Sequence, residues 1–139
     1  MTIKTKGDNP LPQKTNRAID ANLNRLREGL RVIEDIQRYL YDNKEFALRL
    51  KNLRHECKTD NQKDLLKTRD IINDPLKETT KSESTRKNIE EIIIANFKRT
   101  QESARVLEEM FKLTNKKESE KFKQIRYSLY DIEKSLILE

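Results

Sequence analysis

Apolar residues recur every three or four positions over most of the chain, the spacing that places them on one face of an α-helix. The first such segment covers about residues 16–41 and has Leu23, Leu26, Leu30, Ile33 and Leu40 on its apolar face. A second covers about residues 44–58 and has Phe46, Leu50, Leu53 and Cys57 on that face. Asp42 and Asn43 interrupt the pattern between them, and we predict a break there. The second helix continues or resumes through Leu65 and Leu66.

The segment from about residue 68 to residue 86 has a different composition. It is rich in Thr, Ser, Asp and Lys, and Pro75 excludes an uninterrupted helix. A loop of this length inside a compact domain is uncommon and is usually functional or disordered. Ser84 or Thr85 is suitably placed to cap the next helix. We therefore predict a long functional or disordered loop.

Two further helices are predicted after this loop, one ending near residue 114 and one over about residues 118–138. The apolar face of the last helix carries Phe122, Ile125, Leu129 and Ile132. By contrast, Gly7, Pro10 and Pro12 make residues 1–14 a poor helix, and we predict a flexible arm. The remaining residues, 15–139, are predicted to form a single helical domain.

An internal repeat relates the two halves of this domain. Residues 21–35 match residues 95–109 without a gap, in the pattern A-N-x-x-R-x-x-E-x-x-R-V-[IL]-E-[DE], and residues 53–55 parallel residues 125–127. The repeated unit is a long helix followed by a second helix, at about 16–60 and about 87–138. Two such hairpins predict an all-α fold, an antiparallel bundle of about four long helices made from a duplicated helical hairpin.

The matched residues form a partly polar stripe on each long helix. The first stripe consists of Ala21, Arg25, Glu28, Val32 and Asp35, and its copy consists of Ala95, Arg99, Glu102, Val106 and Glu109. Because each stripe borders the apolar face, we expect it to be partly buried. Either the arginines pair with glutamates and the matched Asn22 and Asn96 bond the backbone, or the stripes converge on a polar cleft. A simple coiled coil needs no matched Asn and Arg, which favours the cleft.

The charge and composition of the chain limit the classes of ligand that it could bind. The net charge is +6 and 39% of the residues are charged, which is compatible with nucleic acid, acidic lipid or a phosphorylated small molecule. We expect no nucleic acid, because aromatic residues are not interleaved with the basic ones and no helix-turn-helix or zinc pattern occurs. We expect no membrane association either, because no apolar run approaches spanning length. A single cysteine and a polar N-terminal segment predict a cytoplasmic protein.

Candidate ligands for an anion are the arginines, because a guanidinium binds phosphate through two parallel hydrogen bonds. They are Arg25, Arg54, Arg69, Arg86, Arg99 and Arg126. Asp70 and Asp74 could hold Mg²⁺ through carboxylate oxygens, or they are ordinary helix-end and turn residues. Two glycines in the whole chain exclude a glycine-rich phosphate loop. His55, whose repeat partner is Tyr127, and Cys57 are expected to be structural.

Five segments, in order, resemble a bacterial family. They are DANLNRLREGLRVIEDIQRYL, LRHEC, LLKTRDIINDP, IANFKRTQESARVLEEMFKL and IRYSLY, and they cover about residues 16–131. They are similar to the helical domain often fused in front of thiamine-phosphate synthase. That domain is regarded as a hydroxymethylpyrimidine-phosphate kinase, unrelated to the ribokinase-like enzyme. Because the synthase barrel is absent here, this chain is not expected to make thiamine phosphate alone.

The resemblance implies that the chain phosphorylates 4-amino-5-hydroxymethyl-2-methylpyrimidine phosphate to its pyrophosphate, with ATP as the phosphate donor and Mg²⁺ as the cofactor. Following phosphoryl-transfer logic, we expect Arg25, Arg99 and Asp70 to be catalytic, and Asp70 and Asp74 to hold the metal. Substrate and phosphate binding is expected from Asn22, Glu28, Arg54, Arg69, Arg86, Asn96, Glu102 and Arg126. The alternative is a non-catalytic helical partner or regulatory module of thiamine-phosphate synthase. The oligomeric state is open, and a homodimer is one alternative.

Overall fold

The computed structural model describes residues 11–80 and 84–139, and these residues contain five α-helices and no strand. The helices are α1 (Leu11–Asp35), α2 (Lys44–Glu56), α3 (Gln62–Lys67), α4 (Ile89–Phe111) and α5 (Lys116–Leu138), and α1 continues into a π-helical turn at Ile36–Leu40. None of the helices described is both long enough and apolar enough to cross a membrane.

The four long helices pack as an antiparallel bundle. Arg49 on α2 lies 3.3 Å from Asp131 on α5. Just beyond α2, the Lys58 carbonyl accepts a hydrogen bond from Lys121 of α5 at 2.7 Å. Residue numbers therefore rise along α2 as they fall along α5, and each hairpin is antiparallel in itself. Since α1 packs chiefly on α4, the predicted all-α bundle made from a duplicated hairpin is confirmed.

Asparagine side chains start three of the helices. The side-chain oxygens of Asn43, Asn88 and Asn115 each accept a hydrogen bond from the backbone N–H three residues later, at 3.2, 2.8 and 3.1 Å. Asparagine is among the best residues for this role, because its oxygen satisfies a donor that has no partner within the helix. The prediction of a cap at Ser84 or Thr85 was wrong, because α4 begins after Asn88.

The break between α1 and α2 is confirmed, but it takes an unusual form. The Tyr41 N–H donates to the carbonyl of Ile36, five residues back, at 3.2 Å, so the helix widens into a π-turn before it ends. Asp42 then adopts a left-handed conformation with φ of 49°. The wider turn shifts the side-chain register, and Leu40 is 54% exposed. The prediction that Leu40 belongs to the apolar face was therefore wrong.

The core lies where the periodicity predicts it. Apart from Leu40 and Leu66, every apolar residue assigned to an inner face from its spacing is buried, and three fully buried phenylalanines, Phe46, Phe97 and Phe122, fill its centre. Leu66 is 56% exposed on α3. That helix is separated from α2, which ends at Glu56, so the second helix resumes rather than continues.

A close approach of α1 and α4 explains Gly29. A Cβ atom at this position would lie 2.7 Å from Cγ2 of Thr100 and 3.4 Å from the carbonyl oxygen of Asn96. Glycine therefore lets the two backbones come closer than any other residue would. The matched position on α4 is Ser103, which is also buried.

The beginning of α1 differs from the prediction. The helix starts at Leu11, so residues 11–14, which were assigned to a flexible arm, are helical. Pro12 does not prevent this, because the N–H groups of the first turn have no partner within the helix and a proline there costs no hydrogen bond. Residues 1–10 lie outside the described residues, and the arm predicted there stays a prediction.

Candidate functional site

One ion pair joins the two helices of each hairpin, and the two pairs occupy matched positions of the repeat. Arg54 of α2 donates to both carboxylate oxygens of Glu34 on α1, at 2.7 and 3.2 Å. Arg126 of α5 donates to one oxygen of Glu108 on α4, at 3.3 and 3.0 Å. The glutamate side chains are 2% and 6% exposed, and the hydrogen bond to Glu34 raises the pKa of Arg54. Both arginines were predicted to bind phosphate, but their observed partners are buried glutamates.

The matched asparagines make equivalent local bonds. The Asn22 amide donates to the carbonyl oxygen of Ala18 at 2.8 Å, and the Asn96 amide donates to that of Ile92 at 2.9 Å. Each bond joins residues one helical turn apart. This is the structural alternative that the repeat allowed, in which the asparagine amides bond the backbone.

The centres of the two stripes are more exposed than predicted. The exposed residues are Arg25, Glu28, Arg99 and Glu102. None of the four side chains has a hydrogen bond or an ion pair within the part of the chain that the structure describes. The prediction that these positions are partly buried was therefore wrong, although Ala21 and Asp35 at the margins are half-buried. Because they lack partners there, Arg25 and Arg99 are not committed to the scaffold.

A cleft of about 400 Å³ lies between α1 and the segment after α3. Five of the predicted site residues line it, namely Asn22, Arg25, Arg69, Asp70 and Asp74. Lys14, Arg17, Asp20 and Asn24 line it as well, and sequence reasoning did not select them. The cleft therefore combines basic groups, which suit a phosphorylated ligand, with carboxylates, which suit a cation.

An ion pair fixes one wall of the cleft. Arg69 donates to both carboxylate oxygens of Asp20, at 2.8 and 2.9 Å, so the end of α3 is joined to the middle of α1. These hydrogen bonds raise the pKa of Arg69. The Asp20 side chain is 10% exposed, whereas the Arg69 side chain is 44% exposed. The Arg69 guanidinium therefore stays charged and accessible.

A second bond holds the loop against α1. Arg17 donates to the backbone carbonyl of Asp70 at 2.9 Å. The Asp70 carboxylate accepts from the side chain of Asn73 at 2.7 Å and from the N–H groups of Ile72 and Asn73, both at 3.1 Å. These bonds, those from Asn73 above all, lower the pKa of Asp70. Asp70 is therefore an ionised residue that shapes the loop.

Asp74 closes the next turn. Its carboxylate accepts from the N–H of Leu76 at 2.9 Å, as aspartate before proline commonly does. Asp70 and Asp74 are thus turn residues, one of the two alternatives that the sequence left open. Their turn bonds do not use every lone pair, since an ionised carboxylate can accept about four hydrogen bonds. Both residues line the cleft, so a role in metal binding stays a prediction.

The missed residues carried a signal in the sequence. Arg17 and Lys14 lie four and seven residues before Ala21, so they continue the Arg25 stripe toward the start of α1. They were overlooked because the match between the repeats begins at Ala21. Asp20 lies immediately before the matched residues. Its partner Arg69 is 49 positions later in the sequence, so spacing along one helix could not reveal the pair.

The remaining predicted residues lie outside the cleft lining. They are Glu28, Arg54, Arg86, Asn96, Arg99, Glu102 and Arg126. Arg86 precedes α4 and donates to the backbone carbonyl of Thr85 at 2.9 Å. Their roles in binding or catalysis stay predictions, and the cleft does not contain them.

The single histidine and the single cysteine are also outside the cleft lining. His55 is exposed on α2, so it is not the core-edge residue that was expected. Cys57 is fully buried, and its thiol donates to the Leu53 carbonyl at 3.2 Å. Burial raises the pKa of Cys57 to about 12, so the thiol is held in its unreactive form. The expectation of inert packing is confirmed for Cys57.

Comparison with known proteins assigns the chain to a family. Residues 17–135 match the model of the ThiD2 family. Proteins named thiamine-phosphate synthase from Nostoc punctiforme and Synechocystis sp. are 40% and 39% identical to this chain over 126 and 127 residues. The matches cover 90% and 91% of this chain but 36% and 37% of the relatives, so the chain spans little more than a third of their length. No solved structure matches it. On the family model and these relatives, the chain belongs to the ThiD2 family.

Proposed function

We propose that this chain acts in thiamine biosynthesis as a kinase for 4-amino-5-hydroxymethyl-2-methylpyrimidine phosphate, with ATP as the phosphate donor. Membership of the ThiD2 family and the names of its relatives support the pathway. The observation that carries the reaction is the cleft, where Arg17, Arg25 and Arg69 lie beside Asp70 and Asp74. Arginine forks suit phosphate oxygens, and carboxylates suit a cation bound to phosphates.

The reaction is a displacement at phosphorus. An oxygen of the substrate phosphate forms a bond to the γ-phosphorus of ATP, the bond from that phosphorus to the β,γ-bridging oxygen breaks, and ADP leaves with the electron pair. Arg25, whose side chain has no partner in the described chain, is available to bind an oxygen of the acceptor phosphate. Arg17, held by the carbonyl of Asp70, is oriented before the ligand arrives. Positioning and charge neutralisation then supply most of the rate enhancement.

The absence of a histidine from the cleft lining is compatible with this chemistry. The acceptor is a phosphate monoester, whose second ionisation lies near pH 6, so its oxygen is a nucleophile without a general base. A hydroxyl acceptor would instead need a proton acceptor within hydrogen-bonding distance.

Two carboxylates fit the proposed Mg²⁺. In kinase sites, Mg²⁺ is usually bound by one or two carboxylates together with substrate phosphates and water. Asp70 and Asp74 supply that number, and the described residues contain no group of three His, Cys, Asp or Glu that could hold a metal without the substrate. When bound, Mg²⁺ would neutralise charge on the transferring phosphates. The depressed pKa of Asp70 keeps that carboxylate ionised at neutral pH.

The proposed reaction is tested by a coupled ADP-release assay with the pyrimidine phosphate and Mg·ATP. We expect one ADP per molecule of pyrimidine pyrophosphate, with the product identified by phosphorus NMR. Unphosphorylated hydroxymethylpyrimidine serves as the control acceptor and should give far less ADP. A folded protein that releases no ADP with the phosphate would exclude this activity.

A second function, docking on thiamine-phosphate synthase as a non-catalytic partner, is favoured by the loop beside the cleft. Ile71, Ile72 and Leu76 are 74%, 75% and 85% exposed there. Exposed apolar clusters often mark contact surfaces. If docking is the function, the chain should comigrate with a synthase in gel filtration, and Ile72→Asp should abolish comigration. If the chain releases ADP and elutes from gel filtration separately from the synthase, docking is not its function.

A further inference from the structure

A second groove adjoins the cleft. It lies between α1 and α3, has a volume of about 390 Å³, and shares Asp20, Asn24 and Arg69 with the cleft. The ion pair between Arg69 and Asp20 is therefore a wall common to two cavities. A kinase must hold a donor and an acceptor side by side, so a second cavity that shares a wall with the cleft is a candidate site for one of them.

The groove has an apolar floor and a basic rim. Leu23 and Leu65 are buried beneath it, and Leu66 adds an exposed apolar surface. Arg27, Lys63 and the amide of Gln62 also line it. Ligand sites commonly combine apolar walls with a few polar groups that fix the ligand's orientation. A flat heteroaromatic base fits the leucines, and a polyphosphate fits the cations.

Arg27 is the best indicator that this groove binds an anion. It is exposed and has no hydrogen bond or ion pair among residues 11–80 and 84–139. The matched position on α4 is Gln101, which is buried and donates to Glu133 on α5 at 2.9 Å. In the second repeat this position therefore joins two helices, whereas in the first it places an uncommitted cation in a groove. The side-chain bonds of the scaffold do not use Arg27, so its guanidinium is available to a ligand in the groove.

We propose that the groove between α1 and α3 binds the nucleoside triphosphate, while the pyrimidine phosphate occupies the cleft. This proposal rests on the proposed kinase function, and it adds the place where the phosphate donor binds. Arg69 uses Nε and Nη2 to bond Asp20, so Nη1 remains free to donate to a ligand. At the common wall, Arg69 contacts the terminal phosphate of the donor and the phosphate of the acceptor. It thereby neutralises charge on the phosphoryl group as it passes from one to the other.

The test measures the binding of each ligand separately by calorimetry, with Mg·AMP-PNP as the nucleotide probe. In Arg27→Gln, which introduces the residue of the matched position, we expect the nucleotide Kd to rise at least tenfold. The Kd for the pyrimidine phosphate should stay within about twofold. Arg25→Ala should show the opposite pattern. Lys98→Gln removes an exposed cation from α4, away from both cavities, and should change neither Kd.

Two results would overturn the assignment. One is an active wild-type protein whose nucleotide affinity is unchanged by Arg27→Gln and also by Lys63→Gln, a second exposed groove residue. The other is a loss of pyrimidine phosphate binding, rather than nucleotide binding, in these variants. In both cases the kinase function stands and only the location of the donor fails. A wild-type protein that binds neither ligand and releases no ADP would remove both proposals. Circular dichroism of each variant confirms that it is folded.

Discussion

The two repeats share their internal bonds but differ in what packs against them. In each, an arginine of the second helix holds a buried glutamate of the first, and an asparagine amide bonds the carbonyl one turn back. In the first repeat the loop after α3 folds against the long helix α1, and the cleft forms between them. The matched glutamate–arginine pairs therefore stabilise the hairpins, whereas the matched Arg25 and Arg99 take no part in these bonds. The features that point to a ligand lie where the repeats differ.

The anchors of the loop illustrate this difference. Asp20 and Arg17, which hold the loop, correspond to Ile94 and Glu91 on α4, and neither of these could make the same bond. Arg25 consequently lines the cleft, whereas the matched Arg99 is exposed and lies outside it. The internal duplication thus gives a symmetric scaffold, and the residues that differ just outside the match hold the loop that forms the cleft on one side of it.

The largest effect is expected from removing a buried glutamate. Glu34→Ala leaves the Arg54 guanidinium, which is 15% exposed, without its partner. Breaking a buried pair in this way costs about 3–5 kcal/mol, and we expect the free energy of unfolding in urea to fall by about that amount. Glu108→Ala should behave similarly if the repeats are equivalent in this respect. Glu102→Ala, at an exposed position, is the control and should change stability by less than about 0.5 kcal/mol.

Unequal losses of stability in Glu34→Ala and Glu108→Ala would show that the two repeats are not equivalent. If Glu108→Ala is destabilising and Glu34→Ala is neutral, the first pair is not a scaffold bond. Arg54 would then become available to a ligand again, as the sequence predicted. An activity loss in Glu34→Ala without any loss of stability would lead to the same conclusion.

The next largest effect is expected on catalytic activity, when Arg25 and the matched Arg99 are each replaced by alanine. Arg25→Ala should lower kcat/KM about 100-fold, the size expected when one preorganised hydrogen-bond donor to a reacting phosphate is removed. Because Arg99 lies outside the cleft, Arg99→Ala should have a much smaller effect, and Lys98→Ala serves as the control. Steady-state ADP release measures all three. Equal losses at Arg25 and Arg99 would show that both repeats serve the site, as the sequence alone suggested.

A smaller effect on stability is expected at the contact between α1 and α4. In Gly29→Ala the new methyl group would lie 2.7 Å from Thr100, which is fully buried and donates to the Phe97 carbonyl at 2.8 Å. Overpacking costs about 1–3 kcal/mol, and the better helix propensity of alanine offsets about 1 kcal/mol of this. We expect thermal unfolding to show a net loss of up to about 2 kcal/mol.

The matched control for Gly29 is a double-mutant cycle. Thr100→Ser removes the methyl group that clashes, so Gly29→Ala should be less costly in that background than in the wild type. Ser103→Ala, at the position matched to Gly29, should be nearly neutral. Additive losses in the cycle would show that the close approach of the helices does not explain the glycine.

The fold was largely predictable because burial follows the helical period. Leu26, Leu50 and Leu129 were assigned to inner faces from spacing alone, and all are fully buried. Prediction failed at Leu40, because the π-turn changes the period locally. It also placed a flexible arm where Leu11 and Pro12 begin a helix, since proline in the first turn is compatible with one.

The site was predictable only in part, for a different reason. A buried ion pair and a phosphate site use the same residue types, so the sequence could not show that Arg54 is committed to Glu34. Arg69 and Asp70 were selected because they lie in an unusual loop, and they do line the cleft. Arg17 was missed because its contact with Asp70 depends on how the loop returns to α1.

The smallest expected effect is the pH dependence of the loop that distinguishes the repeats. Hydrogen bonds from Asn73 lower the pKa of Asp70, so the folded protein holds that proton less tightly than the unfolded chain does. The carboxylate's contribution to stability is therefore present at neutral pH, above the unfolded pKa. It is lost as the pH falls through the ordinary aspartate range and then through the lower folded value.

Asp70→Asn lacks this titration, so the stability difference between the two proteins should shrink in acid. Urea unfolding of both proteins at about pH 7 and about pH 3 measures this difference. A difference that stays constant over this range would mean that Asp70 does not depend on its charge to hold the loop, and the cleft would then rest on Arg69 and Asp20 alone.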